Sequence, residues 1–145
     1  MVILPRRKED RLAAEKILYE TAGVQYTPDL KTLVWLDKNK YIRWVVGYNN
    51  FLGRSVQVHL GSIKGFQTRP RQLLYAAFDF PFNVLHVNLL IGIINNVNKK
   101  MVDIALKLGF KEKTRWENMH VDGDRDWETL KGKSKAAYSN CLGLD

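Results

Sequence analysis

Cysteine is nearly absent from this chain of 145 residues, in which Cys141 is the single thiol. A disulfide within the chain is therefore excluded. A structural zinc site would need His59, His86 and His120 to converge on that cysteine, and their spacing does not suggest it. We expect no metal site.

Long hydrophobic runs are also lacking. The longest, Val84–Ile94, is interrupted by His86, Asn88 and Gly92 and falls far short of the roughly 20 apolar residues that a membrane-spanning helix requires. The N-terminus does not have the order of a signal peptide, because the charges at Arg6–Lys8 follow a short apolar patch. A cytoplasmic protein without membrane contact is expected.

The hydrophobic content of 46% is that of a globular chain, and its length suits one domain, expected here to span residues 1–145. Apolar periodicity in the N-terminal half predicts a short strand at Val2–Leu4, a helix at Lys8–Gly23, and strands at Thr32–Leu36, Tyr41–Tyr48 and Ser55–Leu60. Polar turns at Asp37–Lys40 and Asn49–Gly53 join these last three strands into an antiparallel meander. The buried face of the helix is expected to carry Leu12, Ala13, Ile17 and Leu18.

The C-terminal half predicts helices at Pro70–Phe80 and Lys99–Leu108, and strands at Leu85–Ile94 and Phe110–His120. Pro81 is expected to end the first helix and Gly109 to cap the second. The tail beyond a hairpin turn at Asp122–Asp124 is ambiguous, with a last strand at Trp127–Leu130 and a short helix at Ser134–Tyr138 as candidates. This order of elements indicates an α/β protein with a mixed sheet.

The charge balance is one-sided, with 23 basic against 15 acidic residues and a net charge of +8. Such a chain favours an anionic partner, which can be nucleic acid, a phosphorylated cofactor or an acidic protein. The basic residues are scattered along the sequence and no nucleic-acid-binding motif is present, so nucleic acid is not the expected partner.

Aromatic residues offer another test of nucleic-acid binding, because bases stack on exposed rings. The candidates are Trp35, Trp44, Trp116, Trp127, Tyr41 and Tyr48. Three of the tryptophans fall within the predicted strands, which favours core and cross-strand packing over a stacking surface.

Three phrases in the C-terminal half carry a resemblance to a known family. They are Phe78–Asn83, which reads Phe-Asp-Phe-Pro-Phe-Asn, then Gly92–Asn98, and then Leu108–Phe110. In this order and approximate spacing the chain resembles the GNAT superfamily of N-acetyltransferases, in particular small phage-encoded members. The resemblance implies the GNAT fold, an α/β fold with a mixed, mostly antiparallel sheet, a splayed central strand pair and flanking helices.

The resemblance also implies a site for acetyl-CoA, held by a strand, the loop after it and the N-terminus of the next helix. The residues implied for cofactor binding are Val58, Leu60, Gln67, Thr68, Arg69, Arg71, Gln72 and Asn98. Arg69 and Arg71 suit phosphate on physical grounds too, because first-turn amides and the helix dipole favour an anion. The alternative for Asn98 is an ordinary helix N-cap.

Two departures from the family pattern are visible in the sequence. The loop Gln67–Gln72 lacks the glycines that let the backbone approach phosphate closely, which leaves fewer amides and the guanidinium groups to hold it. Ala105 stands where many members carry a tyrosine that serves as general acid. Both departures favour an alternative, namely a catalytically inactive GNAT-fold phage protein with a structural or host-interaction role.

His59 is the candidate catalytic base. Apolar and polar residues alternate along Val56–Leu60, so His59 is expected on the polar face of a half-buried strand. An unperturbed pKa of about 6.5 suits a group that deprotonates an ammonium. The alternative is an ordinary exposed histidine, and Asp79, Glu117 or a chain of waters are weaker candidates for the same role.

The resemblance therefore implies an acyl-CoA-dependent N-acetyltransferase that moves acetyl from acetyl-CoA directly to an amine acceptor on a small molecule or a protein. Cys141 lies too close to the C-terminus to suit the role of acyl carrier. A homodimer is compatible with this interpretation, and a phage-encoded protein would act in the host cytoplasm. The acceptor is not predicted, because the regions that shape its site match the family least.

Overall fold

The computed structural model describes residues 1–63, 70–95, 99–117 and 138–144. The chain divides into two compact units, Met1–Asn88 and Leu89–Asp145. The predicted α/β class and the predicted order of elements are confirmed. Among the described residues no helix combines the length and the apolar character that a membrane span needs.

In the first unit, the residues that the structure describes form four antiparallel strands in the order β1-β2-β3-β4. Their bounds are β1 Val2–Ile3, β2 Lys31–Leu36, β3 Ile42–Leu52 and β4 Ser55–Ser62. Helix α1, Lys8–Ala22, follows β1, and helix α2, Arg71–Asp79, comes after β4 and continues into a π-helical turn at Phe80–Val84. The antiparallel meander of β2, β3 and β4 is thus confirmed.

Helix α1 has the predicted bounds but buries a different face. Gly23, at φ +67°, caps its C-terminus and donates its amide to the Tyr19 carbonyl at 3.1 Å. Ala14 and Leu18 are fully buried, whereas Leu12 is 53% exposed. Each residue advances the helix by about 100°, so Leu12 lies nearly opposite Ala14. The prediction that Leu12 and Ala13 are buried is therefore wrong.

The predicted turn at Asn49–Gly53 is mostly strand. β3 continues to Leu52, and the turn itself is Gly53-Arg54, with Gly53 at φ +60°. The strand pairing shifts by one residue between Asn49 and Leu52, and Asn50 at φ +55° supplies the bulge. Asparagine tolerates this left-handed conformation, so the Asn-Asn pair marks a bulge and not the loop that its composition suggested.

Pro81 does not end the helical segment, contrary to prediction. The chain continues through the π-helical turn, in which Pro81 is fully buried. Because proline has no N–H, it cannot donate to the carbonyl of Ala77 four residues earlier. The Tyr48 hydroxyl donates to that carbonyl instead, at 2.7 Å, and its ring packs beside Phe80 at a centroid distance of 5.5 Å.

Tyr48→Phe is expected to destabilise the fold by about 1–3 kcal/mol, because it leaves the Ala77 carbonyl buried without this donor. Tyr48 is 0% exposed, and burial raises its pKa, so the hydroxyl stays protonated and able to donate. Denaturant unfolding measures the change. Tyr41→Phe is the matched control, since Tyr41 is 64% exposed; an equal loss in both variants would contradict the assignment.

The described residues of the second unit form three antiparallel strands, paired in the order β5-β7-β6, and one helix. The bounds are β5 Leu89–Asn95, helix α3 Lys99–Lys107, β6 Lys111–Glu117 and β7 Tyr138–Leu144. The predicted cap of α3 is confirmed, because Gly109 has φ +101° and the Phe110 amide donates to the Ala105 carbonyl at 3.1 Å.

In this half one strand boundary is wrong, and the candidate helix at Ser134–Tyr138 is wrong at Tyr138, the one of its residues that the structure describes. β5 begins at Leu89 and not at Leu85, because the amides of Leu85 and Val87 still donate to carbonyls of the π-helical turn and His86 has φ +56°. The last strand is Tyr138–Leu144, so Tyr138 is strand and not the end of a helix. The predicted elements at Asp122–Asp124 and Trp127–Leu130 lie outside the described residues.

Candidate active site

The pairing of β3 with β4 decides which faces of the sheet the candidate residues occupy. Directly paired residues share a face, and His59 lies opposite Gly47 while Val58 lies opposite Tyr48. A Cβ atom added to Gly47 would lie 2.6 Å from Leu18 Cδ1, so α1 covers the face of His59. The Tyr48 hydroxyl bonds to α2, which covers the other face. The alternative that His59 is an ordinary exposed histidine is not what the structure shows, because its ring is partly buried on a face that α1 covers.

His59 is partly buried and held by a hydrogen bond. Its Nε2 lies 2.7 Å from Oδ1 of Asn49, the residue diagonal to it on β3. Burial lowers the pKa of His59 below its ordinary value. The ring is therefore mostly neutral at pH 7, and a neutral imidazole has a free lone pair with which to accept a proton.

Asn49 is a hydrogen-bond partner of the candidate base that the sequence did not reveal. It is 4% exposed, although asparagine is mostly a surface residue. The Asn-Asn pair suggested a turn, and a turn would have placed Asn49 in solvent. Only the continuation of β3 through the bulge brings its amide to the face that carries His59.

Val58 and Leu60 were predicted to contact the cofactor. Both are half-buried, and they pair with Tyr48 and Val46 on the face that α2 covers. Their side chains are therefore separated by the sheet from the side chain of His59.

Two residues of the predicted anion site, Arg71 and Gln72, lie in the first turn of α2. Pro70 occupies the N-cap position with extended backbone, and its carbonyl accepts from the Leu73 amide at 3.1 Å. The first turn of α2 contains no acidic residue, and Arg71 and Gln72 are exposed there. The structure thus brings Arg71 and Gln72 together at a positive helix end. Gln67, Thr68, Arg69 and Asn98 lie outside the described residues.

A shallow, open groove of about 570 Å³ lies beside this helix end, and sequence reasoning missed it. Its lining is Met1, Val2, Arg71, Gln72, Tyr75 and Ala76. The signal in the sequence is Tyr75, four residues after Arg71 and therefore on the same face of α2. The groove borders β1, three strands from β4 in the sheet order, so it does not contain His59.

The weaker candidates for proton transfer differ in what surrounds them. Asp79 ends α2, and its Oδ1 accepts from the side-chain Nδ2 of Asn83 at 2.7 Å. Glu117 ends β6, and its side chain is not among those described. Ala105 is 4% exposed and has no proton to donate, so the position of the family's tyrosine supplies no general acid here.

The aromatic residues of the first unit pack mainly in the sheet. Trp44 and Tyr48 are buried, and Trp35 is half-buried directly opposite Trp44. The prediction of core and cross-strand roles is confirmed for these three. Tyr41 differs, because it is exposed beneath the guanidinium of Arg43 at 5.7 Å. The side chain of Trp116 and all of Trp127 lie outside the described part of the chain.

Comparison with solved structures identifies the architecture, whereas no family model and no curated protein match the chain. A mutant form of the spermidine/spermine N-acetyltransferase SpeG from Vibrio cholerae superposes with a TM-score of 0.74 at 14% identity, over 99% of this chain and 92% of that one. SpeG from the same organism in complex with CoA and spermine gives 0.71 at 15% identity, over 99% and 94%.

A protein assigned as a phosphinothricin N-acetyltransferase gives a TM-score of 0.73 at 18% identity, over 100% of this chain and 98% of that one. These structures have the GNAT fold, and the likeness extends over nearly the whole length of each protein. The α/β arrangement of mostly antiparallel strands with flanking helices therefore agrees with the predicted class. The chain has the fold of the GNAT N-acetyltransferases.

Proposed function

We propose that the chain is an N-acetyltransferase that transfers acetyl from acetyl-CoA directly to an amine acceptor. The observation that carries the proposal is His59, a neutral and partly buried histidine fixed on β4. In the family resemblance this strand lines the acetyl group. A neutral histidine there suits the removal of the proton that keeps an amine from acting as a nucleophile.

The cofactor end of the proposed site is the N-terminus of α2. Its residues fit a phosphorylated ligand, because the first turn lacks acids and carries Arg71 and Gln72 in exposed positions. Arg71 would hold phosphate by charge-assisted hydrogen bonds. Gln67, Thr68 and Arg69 precede it in sequence, and we propose that they complete the phosphate contacts. Asn98 is proposed to contact the cofactor arm.

Acetyl-CoA, when bound, supplies an acetyl group activated as a thioester. The protein's task is to orient the amine, to accept one proton from it, and to stabilise the carbonyl oxygen. We assign the proton to His59 and the stabilising N–H to the backbone of Val58–Leu60. The missing tyrosine at Ala105 leaves the departing thiol to take its proton from the reacting amine or from water.

The acceptor is proposed to be an amine that is cationic in solution. SpeG is named as a spermidine N-acetyltransferase, and another structural neighbour as acting on phosphinothricin. Both compounds carry an amine that must lose a proton before it can attack. They are therefore the first acceptors to test, with release of free thiol from acetyl-CoA as the measurement.

Acetyl-CoA is expected to raise the melting temperature, as any ligand selective for the folded state does. Arg71→Ala is expected to weaken its affinity about tenfold or more, since hydrogen bonds to charged groups contribute about 1.5–3 kcal/mol each. Calorimetric titration measures the affinity. Arg54→Ala is the matched control, because Arg54 is also exposed and lies in the β3–β4 turn, at the start of β4, whereas the N-terminus of α2 follows the other end of that strand.

Binding at millimolar acetyl-CoA is the minimum that the proposed function requires. No thermal shift at that concentration would exclude the enzyme and favour a GNAT-fold protein without activity. An equal loss of affinity in Arg71→Ala and Arg54→Ala would show a general effect of charge, and would remove the α2 N-terminus from the proposed site.

A further inference from the structure

We infer that Asn49 is a positioning residue for His59: it holds the ring proton on Nε2 and leaves Nδ1 as the atom that accepts a proton from the amine. The reaction itself rests on the proposed function. The geometry of the Asn49–His59 pair is independent of the proposed function, since it is a property of the folded chain alone.

The hydrogen bond fixes which ring nitrogen carries the proton. Oδ1 of Asn49 is a carbonyl oxygen and can only accept, so at 2.7 Å the Nε2 of His59 must donate. A neutral imidazole has one N–H, and with the proton on Nε2 the lone pair is on Nδ1. Asn49 thereby selects the tautomer, and with it the atom that acts as base.

Asn49 is itself held in place. It is 4% exposed and pairs directly with Gln57, and it stands at the start of the bulge in β3. The next residue, Asn50, fastens the bulge by donating Nδ2 to Oε1 of Gln57 at 2.7 Å. A hydrogen bond in such a buried place is stronger than one in water, because the local dielectric constant is low.

Two acids, Glu20 of α1 and Asp29 of the loop after it, have other partners. Glu20 pairs with Lys16, and Asp29 accepts from the Thr27 hydroxyl at 2.6 Å and from the Phe51 amide at 3.1 Å. Among the described residues, the hydrogen bond from Nε2 to Asn49 is the contact that orients the ring.

The proton transfer that this arrangement supports is balanced. One N–H bond of the acceptor's ammonium breaks, a new N–H bond forms at Nδ1 of His59, and the electron pair left on the amine becomes its nucleophilic lone pair. The ring becomes an imidazolium, and its Nε2–H bond to Asn49 gains strength because the donor is now charged. Asn49 thus favours the protonated ring as well as orienting the neutral one.

The first test observes the ring directly, in the free protein. Nitrogen-15 NMR of the wild type is expected to show a slowly exchanging proton on Nε2 of His59 and none on Nδ1. Asn49→Ala is expected to lose that slow exchange, because the acceptor is gone. Asn39→Ala is the matched control, since Asn39 is exposed between β2 and β3 and its described hydrogen bond is made by its backbone amide to Asp37.

The second test measures turnover with acetyl-CoA and an amine acceptor, either spermidine or phosphinothricin, whichever is acetylated. Asn49→Ala is expected to lower kcat about tenfold or more, as part of the roughly 10²-fold that a positioned base contributes, with KM for acetyl-CoA unchanged. Asn49→Asp keeps the acceptor and adds a negative charge, which raises the pKa of His59. The acidic limb of the pH–rate profile of Asn49→Asp should therefore move to higher pH, and the variant should remain active above that limb.

The outcomes separate this inference from the proposed function. A wild-type proton found on Nδ1, or pH profiles that coincide in all Asn49 variants, would overturn the positioning role even if acetyl-CoA binds. A proton fixed on Nε2 in a protein that fails to bind acetyl-CoA would support the orientation and contradict the proposed function.

Discussion

Replacement of His59 by glutamine is expected to lower the turnover of acetyl transfer about a hundredfold or more, with little change in the affinity for acetyl-CoA. Glutamine can still donate a hydrogen bond to Asn49 but cannot take up a proton. The variant therefore separates the acid-base role of the ring from its place in the packing. Steady-state kinetics with thiol detection give kcat, and titration gives the affinity.

His86→Gln is the matched control for this substitution, because His86 is an exposed histidine in the turn before β5. It should retain wild-type turnover. The wild-type rate is expected to fall as the pH drops through the pKa of His59, and the His59 variant should lack that limb of the profile. If the limb persists in His59→Gln, the proton passes to water or to a carboxylate.

The same pair of variants reports on stability. Because burial lowers the pKa of His59, the unfolded chain binds this proton at a higher pH than the folded protein does. The contribution of His59 to stability is fully present above about pH 6.5 and declines as the pH falls below that value. Unfolding experiments at about pH 7.5 and about pH 5 should show that His59→Gln loses less stability on acidification than the wild type or His86→Gln does.

Leu18→Ala is expected to cost about 2–5 kcal/mol of stability, as truncations of fully buried leucines do. Leu18 is 0% exposed and packs on the sheet where Gly47 and Gly61 leave room for it. Leu12→Ala is the matched control on the same helix, and it should change stability by less than about 0.5 kcal/mol because Leu12 is 53% exposed. Urea unfolding of both variants measures the difference.

A double-mutant cycle tests the contact between Leu18 of α1 and Gly47 of β3. Gly47→Ala alone is expected to destabilise by about 1–3 kcal/mol, since its new Cβ would lie 2.6 Å from Leu18 Cδ1. In the Leu18→Ala background the cavity accepts that methyl group, so the second substitution should cost much less. Additive effects would show that α1 does not pack over Gly47, and equal losses in the two leucine variants would favour the face predicted from sequence.

The sequence predicted the elements whose ends are marked by glycine chemistry. Gly23 and Gly109 end α1 and α3 as expected, because few other residues adopt their left-handed backbone at low cost. The predictions based on Asn49-Asn50 and on Pro81 were wrong because each residue type occurs in two kinds of structure. Asparagine is found in turns and in bulges, and proline is found at the end and at the start of helical turns. Strand pairing and the Tyr48 hydroxyl decide between those roles, and neither is visible in local sequence.

The sequence predicted residues of the candidate site but did not predict their burial or their hydrogen-bond partners. His59, Arg71 and Gln72 were identified from residue chemistry and from the family resemblance, and Arg71 and Gln72 do lie at the N-terminus of a helix. The burial of His59 depends on α1, which crosses the sheet from a distant part of the chain. Asn49 and the groove beside Tyr75 could not be found, because both arise from long-range packing.

Tyr48 and Asn49 are adjacent in β3 but point to opposite faces of the sheet, one bonded to α2 and the other to His59. An insertion or deletion of one residue within β3, between Ile42 and Tyr48, would exchange the two faces. The hydrogen bond to α2 and the hydrogen bond to His59 would then be lost together. Beyond Asn49 the bulge already accommodates an extra residue. Among related sequences we therefore expect a constant length from Ile42 to Asn49 and length variation at the β3–β4 turn.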